Sequence, residues 1–486
     1  MPFPPPGGRK HTGGRATPCR TLVTPDFRRT LDRANSPDGG LSRGAHTRLR
    51  GLWYPAALLG AVAPALGRGK TLLHSGRSLE ETAQHELAPI DRTLWGVAHA
   101  LGAAVRPLVL RQHNRYLGEV PREGPVLLLG NHAAFLDPVV MALGVSRPVH
   151  FMATEALFRQ PRLGALLTRL GAFPKSKYAR DPAAIDHTVA LNAAGRVVGL
   201  FPEGNRSWDG RPAPVLPGLG WLIKKLTGPV VFVRNLHGWM MQPRWARYPR
   251  WVPMAVEYSE PFVFPEAWST TQIEAEVATR IAIDPATIPV PPRCFGLRMA
   301  HGLPDYLWAC PGCFALGALG VDPKDGNAVL CGRCAAGWHV DVGQRLTPVR
   351  SAGGSEPGAL TVASAFDAIT AHFGELPTVD PDRFVAEGVA LEDPEVTVSR
   401  VADGLTRLAT GPATLFADRL VVTHEGGSWE LPLDDIKAVS TEVGSLLQLR
   451  TATELLQLDT TSPLRWGHFL SRHVSRAKPT RRGRKR

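Results

Sequence analysis

The sequence predicts three folded parts: an α/β domain with a mixed sheet flanked by helices, a small cysteine-rich ribbon, and a mostly antiparallel β domain with a C-terminal helix. Three observations lead to this order. Strand-like and helix-like apolar runs alternate over residues 91–290, two Cys-x-x-Cys pairs lie within 305–345, and short strand patterns recur over 401–476. Residues 346–400 are expected to form a linker with irregular and helical stretches.

The positive charge of the chain lies at its two ends. The 486 residues carry a formal net charge of +13, of which residues 1–90 supply +7 and residues 476–486 supply +7, so the remainder is close to neutral. Proteins that follow a nucleic-acid backbone usually carry this charge on a folded surface, so no nucleic-acid partner is expected. Residues 1–90, rich in Gly and Pro, are expected to be a disordered extension, and 477–486 a basic tail.

The first domain follows from its apolar runs, taken in chain order. Strands are predicted at 126–129, 149–153, 197–201, 230–233 and 254–258. Helices are predicted at 94–110 with a break at Pro107, at 138–144, at 161–170, and from Asp181, the N-cap, to about Ala194. No uninterrupted apolar run reaches 18 residues, which argues against a protein with several membrane spans.

Two polar motifs each follow a predicted strand. His132 and Asp137 are separated by four residues directly after strand 126–129. In a chain of this composition roughly one such pair is expected by chance, so the second motif matters more. That motif contains Glu203, Gly204, Arg206 and Ser207, and it comes directly after strand 197–201.

Together these motifs resemble motifs I and III of the glycerolipid acyltransferase family, the 1-acylglycerol-3-phosphate acyltransferases and their relatives. Residues 171–177 resemble the family's motif II, and the resemblance covers about residues 100–285. It implies an α/β acyltransferase domain and an enzyme that transfers an acyl chain from acyl-CoA or acyl carrier protein to the hydroxyl of a lysophospholipid. The best substrate expected from the resemblance is 1-acylglycerol 3-phosphate.

The resemblance also implies roles for individual residues. A neutral imidazole can take a proton from an attacking hydroxyl near pH 7, so His132 is the predicted general base and Asp137 the residue that orients it. The family usually has arginine where this chain has Lys177, and a lysine would hold a phosphate less rigidly. The residues expected to bind the acceptor are Lys177, Glu203, Gly204, Arg206 and Ser207.

Membrane contact is expected because substrate and product are lipids, with peripheral or monotopic attachment at the cytoplasmic face. The run 239–251 places an arginine at every third position with aromatic residues between, which suits a membrane interface. A loop packed on the domain and a site for single-stranded RNA are the alternatives. The apolar segments 51–66 and 94–110 and the basic tail are further candidates for membrane contact.

The four paired cysteines predict a structural Zn²⁺ site. Cys310, Cys313, Cys331 and Cys334 have the spacing C-x2-C-x17-C-x2-C, which resembles a zinc ribbon. Four thiolates leave no open coordination position, so no catalytic metal is expected; a redox-active Cys-x-x-Cys pair is the alternative.

The strands of 401–476, closed by a helix, resemble a pleckstrin-homology-like barrel. Two other functions stay open at this point. One is a non-catalytic lipid- or protein-binding scaffold, against which the His132–Asp137 pair argues. The other is a zinc-ribbon nucleic-acid binder, against which the neutral charge of the body of the chain argues.

Overall fold

The computed structural model describes residues 90–176, 181–350, 359–374, 380–402, 404–442 and 446–476. The predicted extension up to residue 89, which includes the apolar segment 51–66, lies outside the described residues. The same holds for Lys177 and for the predicted tail 477–486.

The first described element is helix α1, Arg92–Val105, which continues as a π-helical turn at Arg106–Leu110. The predicted break at Pro107 falls in this turn, where a proline cannot donate a helical hydrogen bond. In the described part of the chain, the 19 residues from 92 to 110 form the one helix long and apolar enough to cross a membrane.

Helix α1 contacts the domain with one face and exposes the other. His99 Nε2 lies 3.1 Å from the carbonyl oxygen of Val145. Gly102 approaches so closely that a Cβ there would lie 2.6 Å from Leu143 Cδ2. The opposite face of α1 and of the turn after it carries four apolar side chains, spaced by four, four and three residues. Each of them is between 43% and 74% exposed: Val97, Leu101, Val105 and Leu108.

A seven-stranded mixed sheet forms the centre of the first domain and confirms the predicted α/β class. Its strands are β1 (His113–Tyr116), β2 (Val126–Gly130), β3 (Val149–Thr154), β4 (Phe173–Lys175), β5 (Val197–Leu200), β6 (Val230–Asn235) and β7 (Ala255–Tyr258), in the order β1-β7-β6-β2-β5-β3-β4. Only β6 and β7 pair antiparallel. Alternate side chains of the fully buried β2 enter two different cores, Leu128 on one face of the sheet and Leu129 on the other.

Helices connect these strands. They are α2 (Asp137–Ala142), α3 (Glu155–Phe158), α4 (Pro161–Arg169), α5 (Pro182–Ala193), α6 (Leu219–Ile223), α7 (Gly238–Met241) and α8 (Thr270–Ile281). Three of them, α2, α4 and α5, lie close to the predicted positions, and the other four were not predicted. At α5 the Asp181 carboxylate accepts a hydrogen bond from Ala184 N, 3.0 Å away, as an N-cap does.

Residues 303–476, here named the C-terminal module, contain two antiparallel sheets. The first has the order β12-β11-β10-β9-β8, with β8 (Leu319–Val321), β9 (Ala328–Cys331), β10 (Gly337–Val340), β11 (Arg345–Arg350) and β12 (Leu360–Thr361). The second has the order β16-β15-β14-β13-β19-β18-β17, with β13 (Val389–Val401), β14 (Leu405–Phe416), β15 (Arg419–His424), β16 (Gly427–Pro432), β17 (Ala438–Glu442), β18 (Leu446–Arg450) and β19 (Leu455–Asp459). The helices of the module are α9 (Leu303–Tyr306), α10 (Val362–His372), α11 (Pro381–Glu387) and α12 (Pro463–Arg476).

The two sheets of the C-terminal module share one apolar core. The fully buried Trp308 and Trp338 near the cysteines belong to the same cluster as Trp466 on α12. The Trp308 ring lies 4.9 Å from Phe373 and 6.3 Å from Phe469, centroid to centroid. The predicted antiparallel sheet with a C-terminal helix is therefore present, but it is not packed separately from the ribbon.

The predicted start of the last domain at residue 401 is wrong, because β13 already begins at Val389. Pro394 interrupts the alternating pattern in the sequence. The pairing register of β13 with β14 shifts between Asp393 and Val396, and this irregularity accommodates the proline. The predicted linker 346–400 contains helices, α10 and α11, as expected, but it also contains strands that were not predicted: β11 at its start, β12, and most of β13.

Candidate active site

The predicted base and its partner lie at the carboxyl end of β2. His132 follows the last residue of the strand by two positions, and Asp137 is the first residue of α2. His132 Nδ1 lies 2.9 Å from Asp137 Oδ2. The end of the strand packs closely, since a Cβ at Gly130 would lie 2.3 Å from Met141 Cε and would force that side chain to shift.

The Asp137 carboxylate is buried, and protein donors fix its position. Oδ2 accepts hydrogen bonds from the backbone N–H groups of Ala133 and Ala134, at 2.6 and 2.8 Å, besides the contact with His132. Oδ1 accepts one from Asn235 Nδ2 at 2.7 Å. An ionised carboxylate only accepts hydrogen bonds, so His132 donates from Nδ1. Its Nε2 then carries the lone pair that a general base needs.

Asn131 and Asn235 belong to this site, and the sequence did not indicate them. Asn131 Nδ2 donates to the carbonyl oxygen of Asn235, and Asn235 N donates to Asn131 Oδ1, at 3.1 and 2.7 Å. This exchange ties the end of β2 to the end of the parallel strand β6. A signal was available for Asn131, which follows the fully buried strand β2 and directly precedes His132; Asn235 follows Arg234 and had no such signal.

The surroundings of His132 lower its pKa. Burial is the largest cause, the Asp137 carboxylate acts in the opposite direction, and the positive charges of Arg206 and Arg244 lower it further. The imidazole stacks on the ring of Phe201, with centroids 4.3 Å apart, and 19% of its side chain stays exposed. His132 is thus neutral at pH 7 and accessible to a substrate.

Glu203 supports the site from the next parallel strand. It follows β5, and its buried carboxylate accepts hydrogen bonds from His132 N at 3.0 Å and from Ala213 N at 2.9 Å. Burial raises the pKa of Glu203 to about 7, although the two backbone hydrogen bonds oppose the change. The next residue, Gly204, has a φ of 68°, which permits the tight turn. Glu203 therefore fixes the backbone at His132.

Arg206 and Ser207 differ in what they can offer a ligand. Arg206 is buried, its guanidinium lies 5.9 Å from the centre of the Phe135 ring, and its charge acts on His132. Ser207 N donates to the carbonyl oxygen of His132 at 2.8 Å. The Ser207 hydroxyl donates to Arg211 O and accepts from Gly210 N. Both residues were predicted to donate hydrogen bonds to the acceptor phosphate. Ser207 instead bonds within its own loop and to His132, so the charged candidate of the pair is Arg206.

The membrane interpretation of the run 239–251 is wrong for most of its side chains. Trp239, Arg244, Trp245 and Arg250 are at most 5% exposed. Two of them bond to the C-terminal module or to the residues just before it: Trp245 Nε1 donates to Gln344 Oε1, and Arg250 donates to the carbonyl oxygens of Val342 and Met299. The packed-loop alternative is confirmed.

The four cysteine sulfurs form one cluster, all within 4.8 Å of one another. Cys310 Sγ lies 3.9 Å from Cys334 Sγ, and Cys313 Sγ lies 3.8 Å from Cys331 Sγ. A tetrahedral Zn²⁺ with Zn–S bonds of about 2.3 Å needs sulfurs about 3.8 Å apart, so the thiols fit this ion.

Backbone N–H groups face the cysteine sulfurs, as in metal knuckles. Gly312 N lies 3.4 Å from Cys310 Sγ, and Cys334 N lies 3.5 Å from Cys331 Sγ. Burial raises the pKa of Cys310. For Cys331 burial acts in the same direction, but backbone hydrogen bonds from Cys334 and Arg333 outweigh it and lower the pKa. A thiolate is thus favoured at Cys331.

An oriented, neutral imidazole lies at the carboxyl end of a mixed sheet, with buried arginines near it. Such an arrangement can take a proton from a hydroxyl group. Comparison with known proteins assigns the class. Residues 113–234 match the protein-family model described as Acyltransferase, so this part of the chain is an acyltransferase domain, as predicted.

Two relatives and one solved structure are similar to this domain. A 1-acyl-sn-glycerol-3-phosphate acyltransferase of Bacillus subtilis is 27% identical over 94 residues, which are 19% of this chain and 47% of the relative. The enzyme of the same name from Borreliella burgdorferi is 30% identical over 93 residues, 19% of this chain and 37% of the relative. The chain thus spans less than half the length of these relatives. The crystal structure of the 1-acyl-sn-glycerophosphate (LPA) acyltransferase PlsC from Thermotoga maritima has 19% identity and a TM-score of 0.31, covering 42% of this chain and 81% of that one.

Proposed function

We propose that this protein transfers an acyl chain from a thioester, acyl-CoA or acyl carrier protein, to the free hydroxyl of a lysophospholipid, with 1-acylglycerol 3-phosphate as the acceptor. The observation that carries the proposal is the His132–Asp137 pair inside residues 113–234, which match the Acyltransferase family model, in a chain similar to two enzymes named for this lipid. Arg206 beside His132 supplies a positive charge for the acceptor phosphate, and Lys177 is expected to supply a second.

The reaction then runs on the substrate's own hydroxyl as nucleophile. His132 Nε2 takes the hydroxyl proton while the oxygen bonds to the thioester carbonyl carbon. Asp137 stabilises the imidazolium that forms. When the tetrahedral intermediate collapses, the C–S bond breaks and His132 returns the proton to the departing thiolate. The products are a diacyl phospholipid and a free thiol.

The test is a product assay with the purified full-length chain. A panel of lysophospholipids is offered with acyl-CoA and with acyl carrier protein as donors, and products are identified by mass spectrometry. Phosphatidate should form fastest from 1-acylglycerol 3-phosphate.

Arg206→Gln and Lys177→Gln should raise the KM for this acceptor more than the KM for the donor. Arg122→Gln, which removes an exposed arginine, is the control. A folded protein that acylates none of these lipids would favour the scaffold alternative.

Helix α1 supports attachment to the cytoplasmic face of a membrane without a spanning segment. Its exposed stripe, Val97, Leu101, Val105 and Leu108, has no cover among the described residues, while His99 and Gly102 hold the opposite face against the domain. A helix with one apolar face exposed in this way can lie in the headgroup region. Leu101→Glu with Leu108→Glu should release the protein from vesicles, and alkaline carbonate should extract the unmodified protein. A protein that needs detergent for extraction would instead contain an inserted segment.

The cysteine cluster supports a structural zinc ion. Metal analysis should find about one Zn²⁺ per chain, and Cys331→Ser should lose it together with part of the thermal stability. Cys294→Ser changes a cysteine outside the cluster and is the control. If the protein holds no metal and instead forms disulfides between the paired cysteines, the redox alternative applies.

A further inference from the structure

The loop that follows Glu203 is held by residues far along the chain. Trp208 stacks on Tyr306 of α9, with centroids 5.5 Å apart, and Tyr306 stacks on Phe366 of α10 at 4.6 Å. Arg211 Nη1 lies 2.9 and 2.7 Å from the two carboxylate oxygens of Asp367, also on α10. The C-terminal module therefore contacts the loop that carries Arg206.

Arg244 joins the C-terminal module to the backbone at Arg206. Its Nη2 donates to the carbonyl oxygen of Thr441 on β17 at 2.6 Å, and its Nη1 donates to the carbonyl oxygen of Arg206 at 3.3 Å. The guanidinium lies over the Trp208 ring, 4.3 Å from its centre, and the residue is 5% exposed. The planar guanidinium of Arg244 donates to both carbonyl oxygens and thus joins β17 to the backbone at Arg206.

The charge of Arg244 also reaches the base. The charged or titratable groups near His132 come from three places: Asp137 on α2, Glu203 and Arg206 after β5, and Arg244 in the run 239–251. Asp137 favours the imidazolium, whereas Arg206 and Arg244 oppose it. A different ion pair joins this run to α9: Arg247 lies 2.8 Å from Asp305, and both side chains are open to solvent.

We propose that the C-terminal module completes the catalytic site, with Arg244 as a positioning residue that β17 holds against the backbone of Arg206 and beside His132. This inference rests on the proposed acyl transfer for its kinetic consequences. A short acyltransferase domain without such a module would need another means of fixing this loop.

Three variants separate the two effects of Arg244. Arg244→Gln removes the positive charge and the paired N–H donors of the guanidinium. Arg244→Lys keeps the charge but cannot span both carbonyl oxygens. Arg247→Gln breaks the exposed pair with Asp305 and serves as the matched control. The acceptor and donor KM values, kcat, and the pH profile of kcat/KM are measured for each variant, with the melting temperature as a check on folding.

Arg244→Gln should lower kcat/KM about 10- to 100-fold, since small misplacements of reacting groups have effects of this size. The acid limb of the pH profile should move to higher pH, because loss of a nearby positive charge makes His132 easier to protonate. Arg244→Lys should lower kcat/KM with the acid limb unchanged. The inference is overturned if Arg244→Gln matches Arg247→Gln in rate and in pH profile, or if it lowers only the melting temperature.

A separate readout distinguishes failure of this inference from failure of the proposed function. The His132 resonance is assigned in histidine-labelled protein by its loss in His132→Gln, and it is titrated in unmodified protein and in the Arg244 variants. The midpoint should rise in Arg244→Gln and stay in place in Arg244→Lys, whether or not the protein acylates any lipid offered. An unchanged midpoint in Arg244→Gln overturns the inference even if the enzyme is active.

Discussion

The loop after β2 and the run 239–251 both contain polar side chains that are buried, and they differ in where the partners of these side chains come from. His132 and Asp137 are five residues apart, and their further contacts come from neighbouring strands of one sheet. Arg244 is bonded to Thr441, 197 residues away, and Trp245 to Gln344, 99 residues away. Residue spacing therefore encodes a contact across one turn. It does not encode which surface a later part of the chain will cover.

The largest expected effect sharpens the first half of this comparison. His132→Gln should lower kcat/KM by ~10²–10⁴-fold, because the hydroxyl proton loses its acceptor, while the melting temperature changes little. The control is His339→Gln, since His339 also faces a carboxylate, Asp325 at 3.9 Å, but lies in the C-terminal module. Equal activity of the two variants would refute the assignment of the base.

Replacing Arg250 tests the second region of this comparison, the run 239–251. Arg250→Met leaves the carbonyl oxygens of Val342 and Met299 without a donor in a buried place. The free energy of unfolding should fall by about 2–6 kcal/mol, since each of the two buried acceptors left unpaired costs about 1–3 kcal/mol. Chemical denaturation measures the change. An unaltered midpoint would mean that the run 239–251 is not packed as described.

The pH dependence of stability isolates the contribution of Glu203. Its pKa rises from an ordinary value of 4.5 to about 7 on folding, so the folded state takes up a proton between these values. Stability from this group is present below pH 4.5 and is lost as pH rises through 7. The difference in unfolding free energy between the unmodified protein and Glu203→Gln should shrink by up to about 3 kcal/mol from pH 5 to pH 8. Glu119→Gln, at an exposed glutamate, is the control.

The smallest effect is expected at the exposed part of the run. Tyr248 and Trp251 are the aromatic residues of 239–251 that stay partly exposed, at 37% and 38%. Tyr248→Ala with Trp251→Ala should change vesicle binding by less than about twofold. The double variant Leu101→Glu with Leu108→Glu should reduce it at least ~10-fold. Loss of binding in the aromatic variant would restore the membrane interpretation of this run.

Much of the catalytic domain could be predicted because its information is local. Continuous apolar runs identified the strands β2, β3, β5 and β6, and Asp181 with Pro182 marked the start of α5. His132, Asp137 and Glu203 follow strands, so their meeting at one sheet edge was predictable. Asn235 was missed because a single asparagine at a strand end has no spacing partner in the sequence.

The C-terminal module was harder to predict, for a different physical reason. The four cysteines were recognised by spacing, and the structure brings their sulfurs together. The shared core was not predictable, because Trp308 and Trp466 are 158 residues apart and either could have belonged to a separate domain. The boundary at Val389 was missed because a proline lies inside a strand that tolerates it through a shifted register.

The hydrogen bond from Arg244 to Thr441 also sets an order in time. A ribosome synthesises about 5–20 residues per second, so the 197 residues from Arg244 to Thr441 take roughly 10 to 40 s to make. During that interval the sheet that carries His132 can already be complete, yet the carbonyl group that holds Arg244 does not exist. A nascent chain therefore passes through a stage in which His132 is in place but the C-terminal module does not yet hold the loop that carries Arg206. Full activity is expected only after the last sheet has been synthesised and docked.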